Sequence, residues 1–302
     1  MPRRPLPVPD GIGIYGFPDD MLASLDEWQG RLRSRRESGE PGILELVAPL
    51  TETRYLIEER APRGRPVLAL EPHHDDLVLS AGGYVLSRTR PLTVVTVFTQ
   101  TTSVHPGISP GLSSIDEISA LRAEESRQAF LPLHVTRHHL LGLNDADAPY
   151  QANDPRSVPL LADLLRPCLD EHPDAELIAP AGVTRHPDHL RVHEAARRLG
   201  CRWFWDDTSF YPTYAANVDD RHLFDLRVGR ILTSEVQDIT DVALDKLVLL
   251  HMYQSQMQPQ REMYRVLRYN WTVAAPLHSD DGVSGNARFA ERFFRVAGQG
   301  SA

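Results

Sequence analysis

PVLALEPHHDDLVLSAGGYVLSRTRPLTVVTVFT, residues 66–99, is the stretch of sequence that determines the fold. It opens with a short apolar run at 66–70, which is typical of a buried strand. Apolar side chains then recur at helical spacing over 76–88, and residues 91–99 are rich in β-branched side chains. The stretch therefore predicts a strand, a helix and a second strand joined by short loops, which is the βαβ unit of a parallel sheet.

The same alternation of strand and helix continues along the chain. The pattern predicts helices at 115–133, 160–172 and 188–200 and strands at 138–143 and 175–181. A chain that alternates in this way forms a Rossmann-like three-layer α/β sandwich, with a mainly parallel sheet and helices on both faces.

The last third of the sequence has a less regular pattern of apolar residues. Aromatic residues at 202–214 indicate a further strand or the wall of a pocket, and residues 241–257 indicate a helix. From residue 270 onward we expect irregular structure, apart from ARFAERFFRV at 287–296.

The whole chain, residues 1–302, is predicted to form one domain with three parts. Residues 1–62 are an N-terminal arm and helix, residues 63–200 are the α/β core with the candidate site, and residues 201–302 are a C-terminal extension.

The composition narrows the class of protein. A net charge of −9 at pH 7 is unfavourable for a general nucleic-acid or anionic-membrane surface, so we expect neither as a partner. No apolar run is long enough for a membrane span, and no signal-peptide core follows the basic residues at the N-terminus. The two cysteines, Cys168 and Cys201, are too few for a disulfide framework, which favours a cytoplasmic location. No interface pattern indicates an oligomeric state.

Four ionisable side chains, residues 73–76, stand together where the first predicted strand gives way to the first helix. His73 and Asp76 are three residues apart across this turn, so both can contact one metal ion. A mixture of His and Asp donors favours zinc over magnesium. The neighbouring Asp75 points elsewhere and can act as a general base. Alternatively, Asp76 does no more than cap the helix that follows it.

A second cluster, TRHPDHLRVHEAA at 184–196, also follows a predicted strand. His186 and His189 lie three residues apart, with Asp188 between them. Because the carboxyl ends of parallel strands meet at one edge of a sheet, one of these histidines can supply a third zinc ligand. The other can stabilise developing charge while Asp188 orients it. His189 and His193 are an alternative ligand pair on one helix face, but the catalytic Glu of HExxH is missing, so we expect His193 in packing or in support of a ligand.

Other functions agree less well with the sequence. GIGIYG at 11–16 matches the dinucleotide-binding glycine pattern, but no strand precedes it and no helix follows it. An acidic pair after a strand also occurs in Mg²⁺-dependent phosphoryl-transfer domains, whose preference for oxygen ligands conflicts with the nearby histidines. Two alternatives remain. One is a non-catalytic metal-binding protein of the same fold that binds carbohydrates or other small molecules, and the other is an α/β protein with surface histidines and no metal.

With both clusters placed, the sequence resembles the PIG-L/LmbE-like family of zinc-dependent N-acetylglucosaminyl de-N-acetylases. The first signature of that family, A-H-P-D-D-E after a strand, corresponds to PHHDDL at 72–77, and the second, H-P-D-H, is unaltered at 186–189. The resemblance covers about residues 66–294. Weaker similarities are R-x-x-E (Arg122 and Glu125), LGLND (141–145) and Y-x-S-Q (253–256).

The resemblance implies a zinc-dependent amidohydrolase that removes an N-acetyl or other acyl group from an amino sugar or a glycosylated small molecule. It implies that His73, Asp76 and His189 hold the zinc ion. Asp75 is then the general base that deprotonates water.

The same resemblance assigns roles to the remaining polar residues. His186 stabilises the tetrahedral intermediate, and Asp188 orients His186. Arg122 and Asp145 are the candidates for substrate binding.

Two positions depart from the family pattern. His74 stands where the family has Pro, and Leu77 stands where it has Glu. Leu77 removes a carboxylate close to the site, whereas the implied ligands and base are unchanged. The resemblance therefore still implies an active enzyme, whose substrate and acyl group the sequence does not specify.

Overall fold

The computed structural model describes residues 64–88, 90–104, 114–146, 156–184, 186–207, 231–256, 259–274 and 288–296. The predicted N-terminal arm and helix, and most of the aromatic segment at 202–214, lie outside these residues.

One seven-stranded sheet runs through the described residues, in the order β3-β2-β1-β4-β5-β7-β6. Strands β1 to β5 pair parallel with one another, and β7 pairs antiparallel with both β5 and β6. The strands are β1 (Val67–Glu71), β2 (Leu92–Gln100), β3 (Val135–Asn144), β4 (Glu176–Pro180), β5 (Trp203–Trp205), β6 (Ile231–Asp238) and β7 (Ala290–Val296).

Six α-helices accompany the sheet in the described residues. They are α1 (Asp76–Arg88), α2 (Ile115–Phe130), α3 (Val158–Asp170), α4 (Pro187–Arg198), α5 (Ala243–His251) and α6 (Pro259–Ala274). Short 3₁₀ turns at Leu131–Leu133 and Thr240–Val242 follow α2 and precede α5.

The helices lie on both faces of the sheet, as predicted. One face packs against α1, α2, α5 and α6, and its core includes Leu77 and Phe130. The other face packs against α3 and α4, and its core includes Leu161 and Val192. All of β1 is buried because it lies at the centre of the sheet with helices on either side. The predicted three-layer sandwich is confirmed.

The contact between α1 and the C-terminal part of the chain depends on a glycine. A Cβ atom added to Gly83 would lie 2.7–2.8 Å from three carbons of Ile239. The carboxylate of Glu291 in β7 accepts hydrogen bonds from the backbone N–H of Gly83 (2.9 Å) and of Tyr84 (2.7 Å). It also pairs with the buried ammonium of Lys246 at 2.7 Å. These contacts join α1, α5 and β7.

The C-terminal third differs from the prediction in two ways. The helix predicted at 241–257 is too long: α5 ends at His251, and turns follow it. The chain leaves the helix because the backbone N–H and the hydroxyl of Ser255 both donate to Glu125 at 2.7 Å. The expectation of irregular structure from residue 270 is also wrong in part, since α6 runs to Ala274. Strand β6 was not predicted at all.

Candidate metal centre

The loop between β1 and α1 points two carboxylates in different directions. The backbone N–H of His73 donates to Asp76 Oδ2 at 2.8 Å, and the N–H of Leu79 donates to the carbonyl of Asp75 at 2.9 Å. Asp76 thereby turns back over the loop toward His73. Asp75 lies against Arg122, whose Nη2 is 3.2 Å from Asp75 Oδ1.

His189 brings the second cluster to Asp76. It lies in the first turn of α4, just after β4, and its Nε2 is 3.2 Å from Asp76 Oδ1. Its Nδ1 is 2.8 Å from Oδ2 of Asp207, which is the second residue after β5. Asp207 is fixed in turn by the hydroxyl of Thr184 and the backbone N–H of Val183, both at 2.8 Å. In the neutral ring, a carboxylate on Nδ1 retains the proton there, so the lone pair of Nε2 is on the Asp76 side once the second proton has left.

His73, like His189, has a carboxylate at each of its two ring nitrogens. Its Nδ1 is 3.0 Å from Asp76 Oδ2, and its Nε2 is 3.1 Å from Asp188 Oδ2. Asp188 also accepts hydrogen bonds from the backbone N–H of Ala146 (2.8 Å) and from Arg191 (3.3 Å). In the neutral ring, the lone pair of His73 Nδ1 is therefore on the Asp76 side as well.

These donors fit a small tetrahedral cation. Asp76 Oδ2 lies 3.0 Å from His73 Nδ1, and Asp76 Oδ1 lies 3.2 Å from His189 Nε2, so the carboxylate faces one nitrogen with each oxygen. Bonds of 2.0–2.1 Å around a tetrahedral zinc ion place its ligand atoms roughly 3.3–3.4 Å apart. One ligand atom from each of His73, His186 and His189 also lies within 4.8 Å of the other two.

The electrostatics of the cluster favour positive charge. Burial opposes ionisation of Asp76, but His189 and His73 hold the pKa of this carboxyl well below its usual range. Burial likewise favours neutral imidazole rings, yet Asp76 raises the pKa of His73 to about 9 and the pKa of His189 to about 10. The same negative charge that keeps protons on two buried histidines also stabilises a metal cation that replaces those protons.

Asp75 is electrostatically different from Asp76. Burial raises its pKa, and the guanidinium of Arg122 only partly offsets this effect. A buried carboxylate with a raised pKa is a stronger base than an exposed one and suits proton transfer.

His186 lies at the open side of the centre and is about one-third exposed. Its ring centroid is 5.0 Å from that of His73 and 5.1 Å from that of His189. Its Nδ1 accepts a hydrogen bond from the N–H of Asp188 at 3.3 Å, so its proton is on Nε2. Burial and the two neighbouring histidines lower the pKa of His186 to about 4. The Asp188 carboxylate lies nearer to His73 than to His186, from which it is 4.0 Å away.

The two residues predicted for substrate binding occupy different positions. Arg122 is only 4% exposed and lies behind Asp75, on the same helix as Glu125. Asp145 directly follows β3 and is 7% exposed; its carbonyl accepts a hydrogen bond from Arg156 at 2.9 Å. Asp145 is therefore at the edge of the sheet that carries the metal centre, whereas Arg122 contacts the predicted base.

Two residues of the site were not found from the sequence. Asp206 and Asp207 form an acidic pair just after the aromatic strand β5, as Asp75 and Asp76 do after β1. This repeated pattern could have indicated that Asp207 belongs to the site. Glu71 is fully buried at the end of β1, and its carboxylate accepts from Thr96 Oγ1 at 2.5 Å and from the N–H of Leu77 at 3.2 Å. It supports the start of α1, close to the position where Leu77 departs from the family pattern.

Comparison with known proteins identifies the family. The model of the PIG-L family, described as GlcNAc-PI de-N-acetylase, matches residues 68–199. The 2'-N-acetylparomamine deacetylase of Streptomyces fradiae is 30% identical in an alignment of 254 residues that covers 78% of this chain and 88% of that protein. This chain belongs to the PIG-L family. A second PIG-L relative, the diacetylchitobiose deacetylase of Thermococcus kodakarensis, is 28% identical over 142 residues, 47% of this chain and 51% of that protein.

Solved structures agree with the fold of the PIG-L family. The zinc-inhibited form of the teicoplanin deacetylase Orf2 matches with a TM-score of 0.58 and 19% identity, over 78% of this chain and 100% of that one. The A40926 pseudoaglycone deacetylase Dbv21 matches with a TM-score of 0.59 and 21% identity, over 78% and 98%. The predicted family, its fold and its class of enzyme, the amidohydrolases, are confirmed. Among the helices described here, none combines the length and apolarity that crossing a membrane requires.

Proposed function

We propose that this protein is a zinc-dependent de-N-acetylase of amino sugars or of glycosylated small molecules. The observation that carries the proposal is the carboxylate of Asp76 between two oriented histidine nitrogens, with the separate carboxylate of Asp75 beside it. The names of the relatives support an N-acetylated amino sugar as the substrate, since they act on 2'-N-acetylparomamine and diacetylchitobiose.

His73, Asp76 and His189 are the proposed zinc ligands. Two imidazoles and one carboxylate are the donor set of many catalytic zinc sites, which leave one position open for water or substrate. The ion, when bound, supplies a Lewis acid that makes water acidic near neutral pH and polarises the amide carbonyl.

Asp75 is the proposed general base. It accepts a proton from the attacking water and returns it to the departing amine. Both transfers need a carboxylate whose pKa is higher than that of an exposed Asp. Burial provides this property, and the contact with Arg122 keeps the carboxylate in one orientation. We therefore assign Arg122 to positioning of Asp75 more readily than to direct contact with substrate.

His186 is the proposed donor to the oxyanion. Because its Nδ1 accepts the N–H of Asp188, its Nε2–H is available to an oxygen in the open side of the centre. A neutral imidazole can act as this donor, and the low pKa of His186 keeps it neutral at pH 7. Asp188 orients the turn through its backbone and holds His73 through its carboxylate. Asp145, at the end of β3, remains the proposed contact with the sugar.

Acetate release from a panel of N-acetylated amino sugars tests this function. The panel contains 2'-N-acetylparomamine, diacetylchitobiose and N-acetylglucosamine, and activity should disappear with a chelator and return with zinc. Asp75→Asn should retain zinc but lose about 10²–10⁴ in kcat. Asp163→Asn, which changes an exposed carboxylate of α3, is the matched control. Undiminished kcat in Asp75→Asn would contradict the assigned base.

The same assay separates the enzyme from its main alternative. A non-catalytic sugar-binding protein of this fold would bind zinc and N-acetylated sugars, release no acetate, and be unaffected by Asp75→Asn. The cytoplasmic location and the single domain over residues 1–302 stay predictions from the sequence.

A further inference from the structure

A second group of metal-binding side chains lies apart from the candidate metal centre. His139 is in the middle of β3, the first strand in the sheet order, and Glu171 and His172 directly follow α3. One ligand atom from each of the three residues lies within 4.8 Å of the other two. None of them takes part in the centre around Asp76.

Two members of this group, Glu171 and His172, lie near the opposite end of the strands, where His172 contacts Thr93 close to the start of β2. After His172 the chain soon enters β4 at Glu176, whose N–H donates to the carbonyl of Pro66, just before β1. The candidate metal centre, in contrast, is built from loops that follow β1 and β4. The two groups of ligands therefore lie at different places in the fold, although His139 itself is at mid-strand and pairs with Val95 of β2.

The alternation of strand side chains brings His139, and not its neighbour, to this group. The ring of His138 packs edge-on against Phe130, with centroids 4.9 Å apart, and its Nε2 is 2.8 Å from Thr96 Oγ1. Phe130 belongs to the core on the α1 and α2 face. Since successive strand residues point to opposite faces, His139 turns to the other face, which α3 covers.

One imidazole nitrogen of His139, Nε2, is unsatisfied in the part of the chain that the structure describes. This atom is enclosed by protein and has no hydrogen-bond partner among the described residues. Enclosed polar atoms without a partner are uncommon in folded proteins and require an explanation. A cation bound to the lone pair of this nitrogen provides one.

The other two residues complete a suitable donor set. His172 Nε2 is 3.3 Å from Thr93 Oγ1, an interaction that orients the ring and leaves Nδ1 available. Glu171 supplies a carboxylate beside the C-terminal end of α3, where the aligned carbonyls favour positive charge.

Arg137 opposes the binding of a cation. Its Nη1 forms an ion pair with Glu171 Oε2, and both side chains are about half exposed. Exposed ion pairs of this kind contribute little to stability, so the carboxylate can leave Arg137 for a metal ion. The competition should nevertheless make this group a weaker binder than the centre around Asp76.

We propose that His139, Glu171 and His172 form a second site for zinc or a similar borderline cation such as Ni²⁺ or Cu²⁺. Two imidazoles and a carboxylate suit these ions better than Mg²⁺ or Ca²⁺, and three protein ligands leave a coordination position for water. The site does not depend on the proposed enzymatic function, because it shares no residue with that centre.

Calorimetric titration of metal-free protein with zinc alone tests the proposal. Wild-type protein should bind two zinc ions, one tightly and one more weakly. His139→Gln and His172→Gln should each lose the weaker phase and retain the tight one, and His189→Ala should do the reverse. His138→Gln is the matched control, because it changes the adjacent histidine on the opposite face and should leave both phases intact. Melting temperatures of all variants verify that they are folded.

Arg137→Gln gives an independent test, because it should strengthen zinc binding at the weaker site, whereas the histidine variants should abolish it. Removing the competing guanidinium should tighten the weaker phase, which a site built from other residues would not show. The proposal is overturned if wild-type protein binds a single zinc ion that His189→Ala abolishes. It is equally overturned if the weaker phase persists unchanged in the double variant His139→Gln/His172→Gln.

Discussion

Asp207 determines which nitrogen of His189 faces the candidate metal centre. Its carboxylate lies 2.8 Å from Nδ1, and two further hydrogen bonds from Thr184 and Val183 hold that carboxylate in place. Carboxylates in this position fix the tautomer of a histidine ligand and increase its basicity. The sequence did not indicate this role, because Asp207 and His189 approach each other only when β5 lies beside β4.

Loss of the Asp207 carboxylate should weaken zinc binding. We expect Asp207→Ala to reduce the zinc affinity by about 10–100-fold, the usual effect of removing such a supporting group. Competition with a chromophoric chelator measures the affinity. Asp206→Asn is the control, since its carboxylate accepts from Tyr269 at 2.5 Å and not from His189. Equal affinities in Asp207→Ala and wild type would show that His189 does not depend on this contact.

Zinc binding should also release protons. In the metal-free protein Asp76 raises the pKa of His73 to about 9 and that of His189 to about 10, so both rings carry an extra proton at pH 7. A metal ion must displace these protons, and affinity should therefore rise with pH until the rings are neutral in the metal-free state. Calorimetry in buffers of different ionisation enthalpy counts the protons. We expect up to about two per zinc at pH 7; a value of zero would contradict the charge assignment.

At the scale of elements, the turn between β1 and α1 is held by a buried carboxylate. Glu71 accepts from Thr96 and from the N–H of Leu77, and so closes the loop that contains both candidate ligands, His73 and Asp76. Leu77 itself lies in the apolar core. The carboxylate that the family has at position 77 is absent here, and Glu71 supplies one to the same turn from the strand.

Truncation of Glu71 should therefore be costly. Glu71→Ala leaves the buried N–H of Leu77 without its acceptor, at about 1–3 kcal/mol, and leaves the Thr96 hydroxyl with only His138 Nε2 as a partner. Glu71→Gln retains an oxygen for Leu77 and offers an amide N–H to Thr96, so it should be much less harmful. Urea unfolding of the two variants measures the difference. Equal stabilities for Glu71→Ala and Glu71→Gln would contradict the supporting role.

The paired glycines of α1 provide a matched test of helix packing. An alanine at Gly83 would place its Cβ 2.7–2.8 Å from Ile239, so Gly83→Ala should cost about 1–3 kcal/mol through overpacking. At Gly82 the nearest atom is 3.3 Å away, and the gain in helix propensity, roughly 1 kcal/mol, should offset the tighter contact. Thermal unfolding compares the two. A Gly83→Ala variant as stable as Gly82→Ala would mean that Ile239 can move aside.

The strength of the apolar pattern explains which elements could be predicted. The strand–helix–strand unit at 66–99 was placed within one residue, because β1 and β2 are continuous apolar strands and α1 has a regular apolar face. Strand β6 is poor in apolar residues, and α6 buries the polar side chain of Asn270, which bonds to Lys246 at 3.1 Å. Such elements owe their position to partners that are distant in sequence.

At the scale of the whole molecule, the parallel sheet assembles the site. The loops after β1, β3, β4 and β5 all leave the same edge of the sheet, so residues from 73 to 207 reach a single point. The two signature clusters were predictable because each one follows a strand directly. The contact between Ala146 and Asp188 was not, because it depends on how the loop after β3 reaches the second cluster.

The central claim is that two distant segments hold one metal ion between them. Elemental mass spectrometry of the purified protein, with His139→Gln/His172→Gln as background to remove the second proposed site, measures this directly. We expect about one zinc ion per chain, lost both in Asp76→Ala and in His189→Ala when either is added to that background. Protein that remains metal-free after incubation with zinc, or that keeps its zinc in both variants, would contradict the account.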